Sequence, residues 1–170
     1  MTISNSMLQD TDEIFRLYAA ATQLQKEKGV VTWPTFERAM VEAEINAGQQ
    51  WKLTEGDAIT CVWATTFHDP QIWEDLHDEP SLYIHRIATN PAFRGRALVQ
   101  RIVQWARTYA AAQGKKYVRM DTVGNNRPLI AHYQRCGFDV LGFSRLKNTA
   151  GLPSHYQQDM VCLFQLEAAG

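Results

Sequence analysis

The chain has 170 residues, of which 45% are hydrophobic, and a formal net charge of −1 at pH 7. This length and apolar content are typical of one domain with a buried core, so we predict a single domain over residues 1–170. A nearly balanced charge provides no basic face, which excludes nucleic acid and anionic membranes as expected partners. A small ligand is the remaining expectation.

Neither a membrane span nor a secretory leader is predicted. No run approaches the ~18 apolar residues of a span, and residues 1–13 lack the basic and then apolar order of a signal peptide. We therefore expect a cytoplasmic protein. Cys61, Cys136 and Cys162 stand far apart without a CxxC pair, which predicts buried thiols rather than zinc ligands or disulfides.

The first third of the chain predicts two helices after a short first strand. Asp10 and Glu13 have the spacing of a capping box, and apolar residues then recur at helical spacing until Gly29. A second helix is expected to have Pro34 in its first turn and to end at Gly48.

A hairpin and an acidic segment come next. Residues 50–54 and 58–67 predict two antiparallel strands around a Glu-Gly-Asp turn. Residues 68–80 contain no Lys or Arg, and two interpretations stay open: a solvated surface loop, or a lid whose carboxylates attract a cationic substrate. His68 and His77 stand among these acids without a fixed ligand spacing, so we expect no metal. The acidic residues are Asp69, Glu74, Asp75, Asp78 and Glu79.

The stretch from 81 to 113 predicts a strand, a turn and a helix. Residues 81–89 form an apolar run that Asn-Pro closes, and apolar residues recur at three and four from Leu98, so a helix should begin near Arg96. The first amides of a helix have no partner within it and lie at the positive end of its dipole. With Arg94 and Arg96 beside them, these amides predict a site for a phosphate group.

The remaining residues predict two further strands around a helix, and then a final strand. A strand at 116–121 should lie parallel to 81–89, since a helix connects the two. Asn126 is expected to cap the next helix, which has a proline in its first turn. Two runs at 138–146 and 155–166 are expected to form an antiparallel pair.

Two of these stretches resemble motifs of the GNAT superfamily of acyl-CoA-dependent N-acetyltransferases. One is Pro-Ala-Phe-Arg-Gly-Arg-Ala at 91–97, which leads into a helix. The other, at 126–138, has Asn126, then Tyr133 seven positions later, then Gly-Phe. The two occur at the expected separation and in the expected order of strands and helices, and the resemblance covers residues 51–166.

The resemblance implies an α/β (α+β) fold of the GNAT type. Its central sheet would be mixed and mostly antiparallel, with a parallel, splayed pair of strands near 81–89 and 116–122 and about four helices. Acetyl-CoA or coenzyme A would bind as a substrate, and no metal is expected. A homodimer is left open.

The resemblance also implies which residues bind the cofactor. The family pattern in the turn is Arg or Gln, two residues, Gly, one residue, then Gly or Ala, and the matching positions are Arg94, Ala97 and Val99. The turn would bind the pyrophosphate, the backbone of the preceding strand would bind the pantetheine arm, and Asn126 would contact the cofactor. The full set is Ile87, Ala88, Thr89, Arg94, Gly95, Arg96, Ala97, Leu98, Val99, Asn126 and Tyr133.

The chemistry of acetyl transfer suits these residue types. Attack of an amine on a thioester needs a neutral amine, a donor for the oxyanion and a proton for the sulfur. The resemblance implies Tyr133 as the acid, since a phenol with a pKa near ~10 stays protonated at neutral pH. A backbone N–H near Ala88 can bind the oxyanion. For the base we name His85 first, with His132, Glu79 or water as alternatives.

The leading hypothesis is an N-acetyltransferase that moves an acetyl group from acetyl-CoA directly to a primary amine of a small molecule or peptide N-terminus. The acidic segment favours a cationic acceptor, and Trp33 and Trp73 are candidate walls of its pocket. The rivals are a non-catalytic acyl-CoA binding or sensing module and a structural domain without a cofactor. The sequence does not identify the acceptor, because the segments that build acceptor pockets in this fold match least.

Overall fold

A computed structural model describes all 170 residues and contains five α-helices and seven β-strands. None of the helices has the length and apolarity needed to cross a membrane. The helices are α1 (Thr11–Lys28), α2 (Arg38–Asn46), α3 (Pro70–Trp73), α4 (Leu98–Ala112) and α5 (Arg127–Arg135). The strands are β1 (Thr2–Asn5), β2 (Gln50–Glu55), β3 (Ala58–Thr66), β4 (Ser81–Thr89), β5 (Tyr117–Val123), β6 (Asp139–Ser144) and β7 (Val161–Glu167).

The strands form one sheet in the order β1-β2-β3-β4-β5-β7-β6. The pairs β1–β2, β2–β3, β5–β7 and β6–β7 are antiparallel, whereas β4 and β5 are parallel. This confirms the mixed, mostly antiparallel sheet with one parallel pair. Four helices have nine residues or more, as expected, and α3 adds a single turn of four residues.

The chain divides into two compact units, which we call the first unit (residues 1–65 and 85–98) and the second unit (residues 66–84 and 99–170). The prediction of a single domain over residues 1–170 stays a prediction. In the first unit the apolar faces of the two helices meet in a buried cluster, since Ile14 and Leu17 of α1 pack with Val41 and Ile45 of α2 and with Val62 of β3.

The predicted capping box at the start of α1 is wrong. Asp10 does occupy the position before the helix, but its side chain makes no cap bond to α1. Its carboxylate instead accepts the backbone N–H of Met7 at 2.7 Å and pairs with Lys52 at 2.7 Å. This ion pair is only 11–14% exposed, so it competes successfully with the helix amides for the carboxylate.

The predicted start of the second helix is also wrong, because α2 begins at Arg38, after Pro34. Residues 31–37 are not helical. The N–H of Trp33 donates to Gln25 Oε1 at 2.8 Å, and the rings of Trp33 and Phe36 pack edge-on against Tyr18 at 6.0 and 5.4 Å. The packing of two aromatic side chains on α1 outweighs the helical spacing of this segment.

The second unit buries both sides of its strands. On the side of α5, Met120 of β5 pairs in register with Phe164 of β7, and the Tyr133 ring packs edge-on against Phe164 at 5.3 Å. The opposite side carries the residues that alternate with these, and it is covered by a cluster in which Trp73, Tyr83, Tyr156, Val161 and Leu163 are buried.

The predicted strand at 155–166 is too long at its beginning. β7 starts at Val161, and Ser154–Gln157 form a 3-10 turn. His155 and Tyr156 of this turn are 7% and 8% exposed. Pro153 before the turn and the burial of these two rings explain why the strand does not begin at His155.

Candidate active site

The turn that follows β4 in the first unit is fastened to β3 by Asn90. The backbone N–H of Asn90 donates to the Thr60 carbonyl at 2.9 Å, and its side-chain Nδ2 donates to the Ile59 carbonyl at 3.0 Å. The side-chain oxygen accepts the N–H of Ala92 at 3.1 Å and so caps a short 3-10 turn, Pro91–Phe93. All the polar groups of this one side chain therefore serve to fix the turn.

Two residues of the turn have left-handed backbone angles. Gly95 has φ +79°, which glycine adopts without strain. Ala97 has φ +54°, which is costly for a residue with a Cβ. The family pattern has glycine at the position of Ala97, and this angle is a physical reason for it. It also explains why α4 begins at Leu98 and not near Arg96, since a left-handed residue cannot belong to the helix.

The two arginines of the turn differ in what holds them. Arg96 pairs with Glu55 at 2.7 Å and lies 5.4 Å from the centre of the Phe93 ring. Arg94 is exposed and has no ion pair in the structure. Arg94 is therefore the cation of the turn that an anionic ligand can reach without breaking another contact. Val99 is half-buried in the first turn of α4.

A second irregularity lies inside β4, at Arg86. This residue has φ +53° in the middle of the strand. Its guanidinium Nη2 donates to both carboxylate oxygens of Glu44, one at 2.6 Å, and Nε donates to the Tyr18 hydroxyl at 3.3 Å. Its Cζ lies 5.3 Å from the centre of the Phe36 ring. Sequence reasoning missed this group, because nothing in the spacing links Glu44 on α2 to Arg86 on β4.

The environment of Arg86 keeps it charged. Burial lowers the pKa of the guanidinium, but Tyr18 and Glu44 more than offset this and leave the pKa above its ordinary value. The side chains of Arg86 and Glu44 are only 13% and 19% exposed. A bidentate ion pair with this little solvent fixes the backbone direction of β4 immediately before the predicted pantetheine segment.

The predicted pantetheine segment, Ile87–Thr89, ends β4. Ala88 is 1% exposed, while Ile87 and Thr89 are half-buried. Thr89 Oγ1 lies 3.7 Å from Cys61 Sγ, and burial raises the pKa of the Cys61 thiol to about 12. Cys61 is therefore a buried, protonated thiol, as predicted, and no thiolate nucleophile.

His85, the first candidate base, is half-buried on β4.

In the second unit, α5 begins as predicted. Asn126 Oδ1 accepts the N–H of Leu129 at 3.3 Å, and Pro128 stands in the first turn. The predicted cap is confirmed, whereas contact of Asn126 with a cofactor stays a prediction. Asn126 is half-buried, so its side-chain oxygen serves the helix at the edge of solvent.

Tyr133, the predicted acid, is 9% exposed on α5. Its ring packs edge-on against Phe138 and Phe164, with centroids at 6.3 and 5.3 Å. His132, a weaker candidate base, is half-buried beside it, and burial followed by the charge of Arg135 lowers its pKa. A lowered pKa leaves this imidazole neutral at pH 7 and able to accept a proton.

Three other predicted residues have structural roles. Glu79 pairs with Lys116 at 3.3 Å, and both side chains are about half exposed, so this carboxylate belongs to a surface ion pair. Trp73 is 1% exposed and packs beneath the Arg119 guanidinium, whose Cζ lies 4.4 Å from the ring centre. Trp33 packs within the first unit, against Tyr18 and Phe36.

The acidic segment is partly folded inward. Arg119, which is 1% exposed, donates to the Leu76 carbonyl at 2.7 Å and holds the segment on the second unit. Asp69 is only 9% exposed, and Glu74 pairs with Lys147 at 3.7 Å. The interpretation as a wholly solvated loop is therefore wrong for these two acids, while Asp75, Asp78 and Glu79 do face solvent.

One functional candidate was missed by sequence reasoning. Asp121 near the end of β5 is half-buried, and its Oδ2 accepts the Tyr156 hydroxyl at 2.8 Å. A carboxylate oxygen of Asp69 lies within 4.8 Å of one of Asp121. The available signal was an Asp within a predicted strand, because a partly buried carboxylate needs a reason.

Comparison with known proteins agrees with these motifs. The sequence pattern of a family described as "Acetyltransferase (GNAT) family" matches residues 12–138. The chain is similar to the uncharacterized N-acetyltransferase YesJ of Bacillus subtilis (strain 168), with 24% identity over 145 residues, which cover 81% of each chain.

Two solved structures share the fold. A GNAT-family acetyltransferase from Streptococcus agalactiae 2603 superposes with a TM-score of 0.78 and 22% identity, covering 99% of this chain and 96% of that chain. The putative acetyltransferase yncA from Salmonella typhimurium, solved with its cofactor acetyl-CoA, has a TM-score of 0.69 and 17% identity over 100% and 95% of the two chains. Because the family pattern spans most of the chain, the protein belongs to the acetyltransferase (GNAT) family and is an N-acetyltransferase that uses acetyl-CoA.

Proposed function

We propose that the protein transfers the acetyl group of acetyl-CoA directly to a primary amine of a small molecule or a peptide N-terminus. The observation that carries the proposal is the turn Asn90–Leu98, in which two left-handed residues lead into the N-terminus of α4 beside an unpaired arginine. Helix amides and a cation are the groups that bind a pyrophosphate.

The donor groups of the first unit fit coenzyme A. Exposed backbone at 94–97 and the Arg94 side chain supply positive potential for the pyrophosphate. The backbone of Ile87–Thr89 supplies hydrogen bonds for the pantetheine amides, in the manner of an added strand. Arg86 stabilises this backbone through its ion pair with Glu44. The yncA structure with acetyl-CoA supports this choice of ligand.

The proposed chemistry needs no covalent enzyme intermediate. The amine nitrogen attacks the thioester carbonyl carbon, and the C–S bond breaks as the tetrahedral intermediate collapses. A backbone N–H near Ala88 stabilises the oxyanion. Tyr133 donates its phenolic proton to the departing thiolate, and a base, for which His85 is the first candidate, takes the proton that the amine gives up. Proton exchange with solvent then returns a proton to the phenolate and removes one from the base, so atoms and charge balance.

A non-catalytic acyl-CoA sensor is the second candidate. The observation that favours it is the replacement of both expected glycines by Ala97 and Val99, of which Ala97 is strained at φ +54°. A sensor needs tight binding without turnover, so it differs from the enzyme in a measurable way.

Thiol release separates these functions. The protein is incubated with acetyl-CoA and a panel of alkylamines, diamines, arylethylamines and a short peptide, and free coenzyme A is followed with a thiol reagent. The enzyme predicts release that depends on one class of amine and stops without it. No thiol release with any amine of the panel, together with thermal stabilisation by acetyl-CoA, would favour the sensor. A ligand at ~100 times its dissociation constant adds ~2.7 kcal/mol, so absence of any stabilisation would contradict both.

A further inference from the structure

We propose that β6 is an interface strand, which pairs with β6 of a second copy of this chain. The two strands run antiparallel about a twofold axis at Gly142, so that Asp139 of one copy lies opposite Arg145 of the partner subunit. This surface belongs to the second unit. It contains none of the residues assigned above to acetyl-CoA or to proton transfer, so the inference does not depend on the proposed function.

The backbone of β6 is open on one side. The strand order ends with β5-β7-β6, so β6 pairs with β7 and has no strand on its other side. An edge strand presents N–H and C=O groups that another strand can complete, and proteins usually protect it with proline or lysine. β6 contains neither, and its one irregularity is a shift of register with β7 between Val140 and Gly142. The edge is therefore accessible to a second strand.

Exposed apolar side chains are concentrated at this edge. Leu76, Leu141 and Phe143 are each 44% exposed, and they are half of the large hydrophobic side chains that the protein leaves exposed. All three line one groove of about 350 Å³, together with the buried Trp73 and Leu163. Exposed apolar groups that are gathered in one place are typical of an interaction surface.

The charges of this edge are complementary to themselves. Asp139 and Arg145 stand three residues before and three residues after Gly142, and both are exposed without an ion pair. When two identical strands pair about a twofold axis, residues at equal distances on either side of the axis face one another. With Gly142 on the axis, opposite charges therefore face each other twice in one dimer. The same register puts Leu141 opposite Phe143 of the partner subunit.

Neighbouring registers lack this match. With the axis one residue earlier, Asp139 faces Phe143 of the partner subunit. With the axis one residue later, it faces Lys147 of the partner subunit, and Lys147 is already paired with Glu74 at 3.7 Å. A glycine on the axis also favours the close approach of two backbones, since no side chain stands between them. Charge and shape therefore favour the register centred on Gly142.

The groove beside β6 extends the contact beyond one pair of strands. Its lining consists of residues 72–76, residues 141–145, Lys147 and Leu163. The lining follows β6 without a break from 141 to 144, so side chains of a strand paired with β6 lie beside the groove. A specific interface buries at least ~1,200 Å² in total, which is more than a strand pair supplies. The apolar walls of the groove provide further area for the same partner.

The test is charge reversal with rescue by mixing. Sedimentation equilibrium measures the self-association of wild type, Asp139→Arg and Arg145→Asp. We expect a wild-type dimer, and in each variant an association at least ~10-fold weaker, because like charges then face each other twice. An equimolar mixture of the two variants should dimerise about as well as wild type, since every facing pair in the mixed dimer has opposite charges.

Two further variants complete the test. Asp78→Arg makes the same change of charge at an exposed residue outside the groove lining, and it should change association less than about twofold. Phe143→Ser removes an apolar contact that is made twice in the dimer and should weaken association by roughly tenfold. Both charged positions of the edge are exposed, so circular dichroism should show native folding in every variant.

Three outcomes would overturn the inference. Wild type that stays monomeric at about 100 μM has no second copy on β6, and the groove then belongs to another partner. A dimer that neither charge reversal weakens uses another surface. A mixture that remains monomeric shows that the two charges do not face each other. None of these outcomes depends on whether the protein acetylates an amine.

Discussion

Two regions of the protein are built for different tasks and from different parts of the chain. The turn Asn90–Leu98 in the first unit presents backbone, and its side chains mainly hold that backbone in place: Asn90 bonds it to β3, and Arg96 is tied to Glu55. In the second unit, Tyr133 has a hydroxyl group on a ring that is positioned by its packing on Phe164. Substitutions in the turn should therefore act mainly by changing the conformation of its backbone. Substitutions in the second unit should act by removing a particular oxygen atom.

The largest effect is expected at Tyr133. Tyr133→Phe keeps the ring that packs on Phe138 and Phe164 but removes the proton donor. We expect kcat to fall by roughly 10²–10⁴-fold, as for loss of a general acid, with little change in acetyl-CoA affinity. Steady-state kinetics gives kcat, and calorimetric titration with coenzyme A gives the affinity for the cofactor. Tyr109→Phe, in α4, is the matched control and should match wild type. Equal turnover in Tyr133→Phe would remove this residue as the acid.

The second-largest effect is expected from the buried ion pair between Arg86 and Glu44 in the first unit. Glu44→Gln leaves the Arg86 guanidinium largely buried without an anion, so we expect a loss of roughly 3–5 kcal/mol in the free energy of unfolding. Urea denaturation measures it. Glu42→Gln, on the same helix, removes an exposed partner of Arg38 and should cost less than about 1 kcal/mol. Similar losses in both variants would contradict the role assigned to the buried pair.

A smaller effect is expected from the exposed cation of the turn. Arg94→Ala should weaken acetyl-CoA binding by roughly 5–20-fold and leave kcat near the wild-type value, because a pyrophosphate contact is made in the ground state as well as in the transition state. The loss should shrink as salt rises. Gln157→Ala, at an exposed site of the second unit, serves as the control. A fall in kcat with unchanged affinity would move Arg94 out of the binding region.

The smallest effect concerns backbone strain. Ala97→Gly relieves a left-handed alanine and should raise the free energy of unfolding by about 0.5–1 kcal/mol. The reciprocal change, Gly95→Ala at φ +79°, should lower it by about 1 kcal/mol. Thermal melts show whether each variant is more or less stable than wild type. If Ala97→Gly is destabilising, the turn has a different conformation in solution.

Much of the fold follows from local patterns. The strands around the hairpin, the strand at Ser81–Thr89 and the Asn126 cap depend on apolar runs, turn residues and a short-range hydrogen bond, all of which are visible in the sequence. The start of α2 was misplaced because the packing of Trp33 and Phe36 on α1 depends on a partner outside the segment. Asp10 was misread for the same reason, since Lys52 is 42 residues away.

The candidate site, too, could be predicted only where its residues belong to a local motif. The turn and Tyr133 carry motifs, so they could be predicted, although the left-handed angle of Ala97 could not. Arg86 with Glu44, and Asp121 with Tyr156 and Asp69, come together only through the sheet and the loops that cover it. Residues that are far apart in the sequence leave no spacing to detect, which is why these contacts were missed.

The most direct test measures kcat and the dissociation constant of coenzyme A for Arg94→Ala and Tyr133→Phe side by side. We predict opposite results: Arg94→Ala loses affinity and keeps kcat, whereas Tyr133→Phe loses kcat and keeps affinity. This outcome would show that backbone and charge in the first unit bind the cofactor while a side chain in the second unit performs the chemistry. Two variants that change both quantities by the same factors would contradict that division.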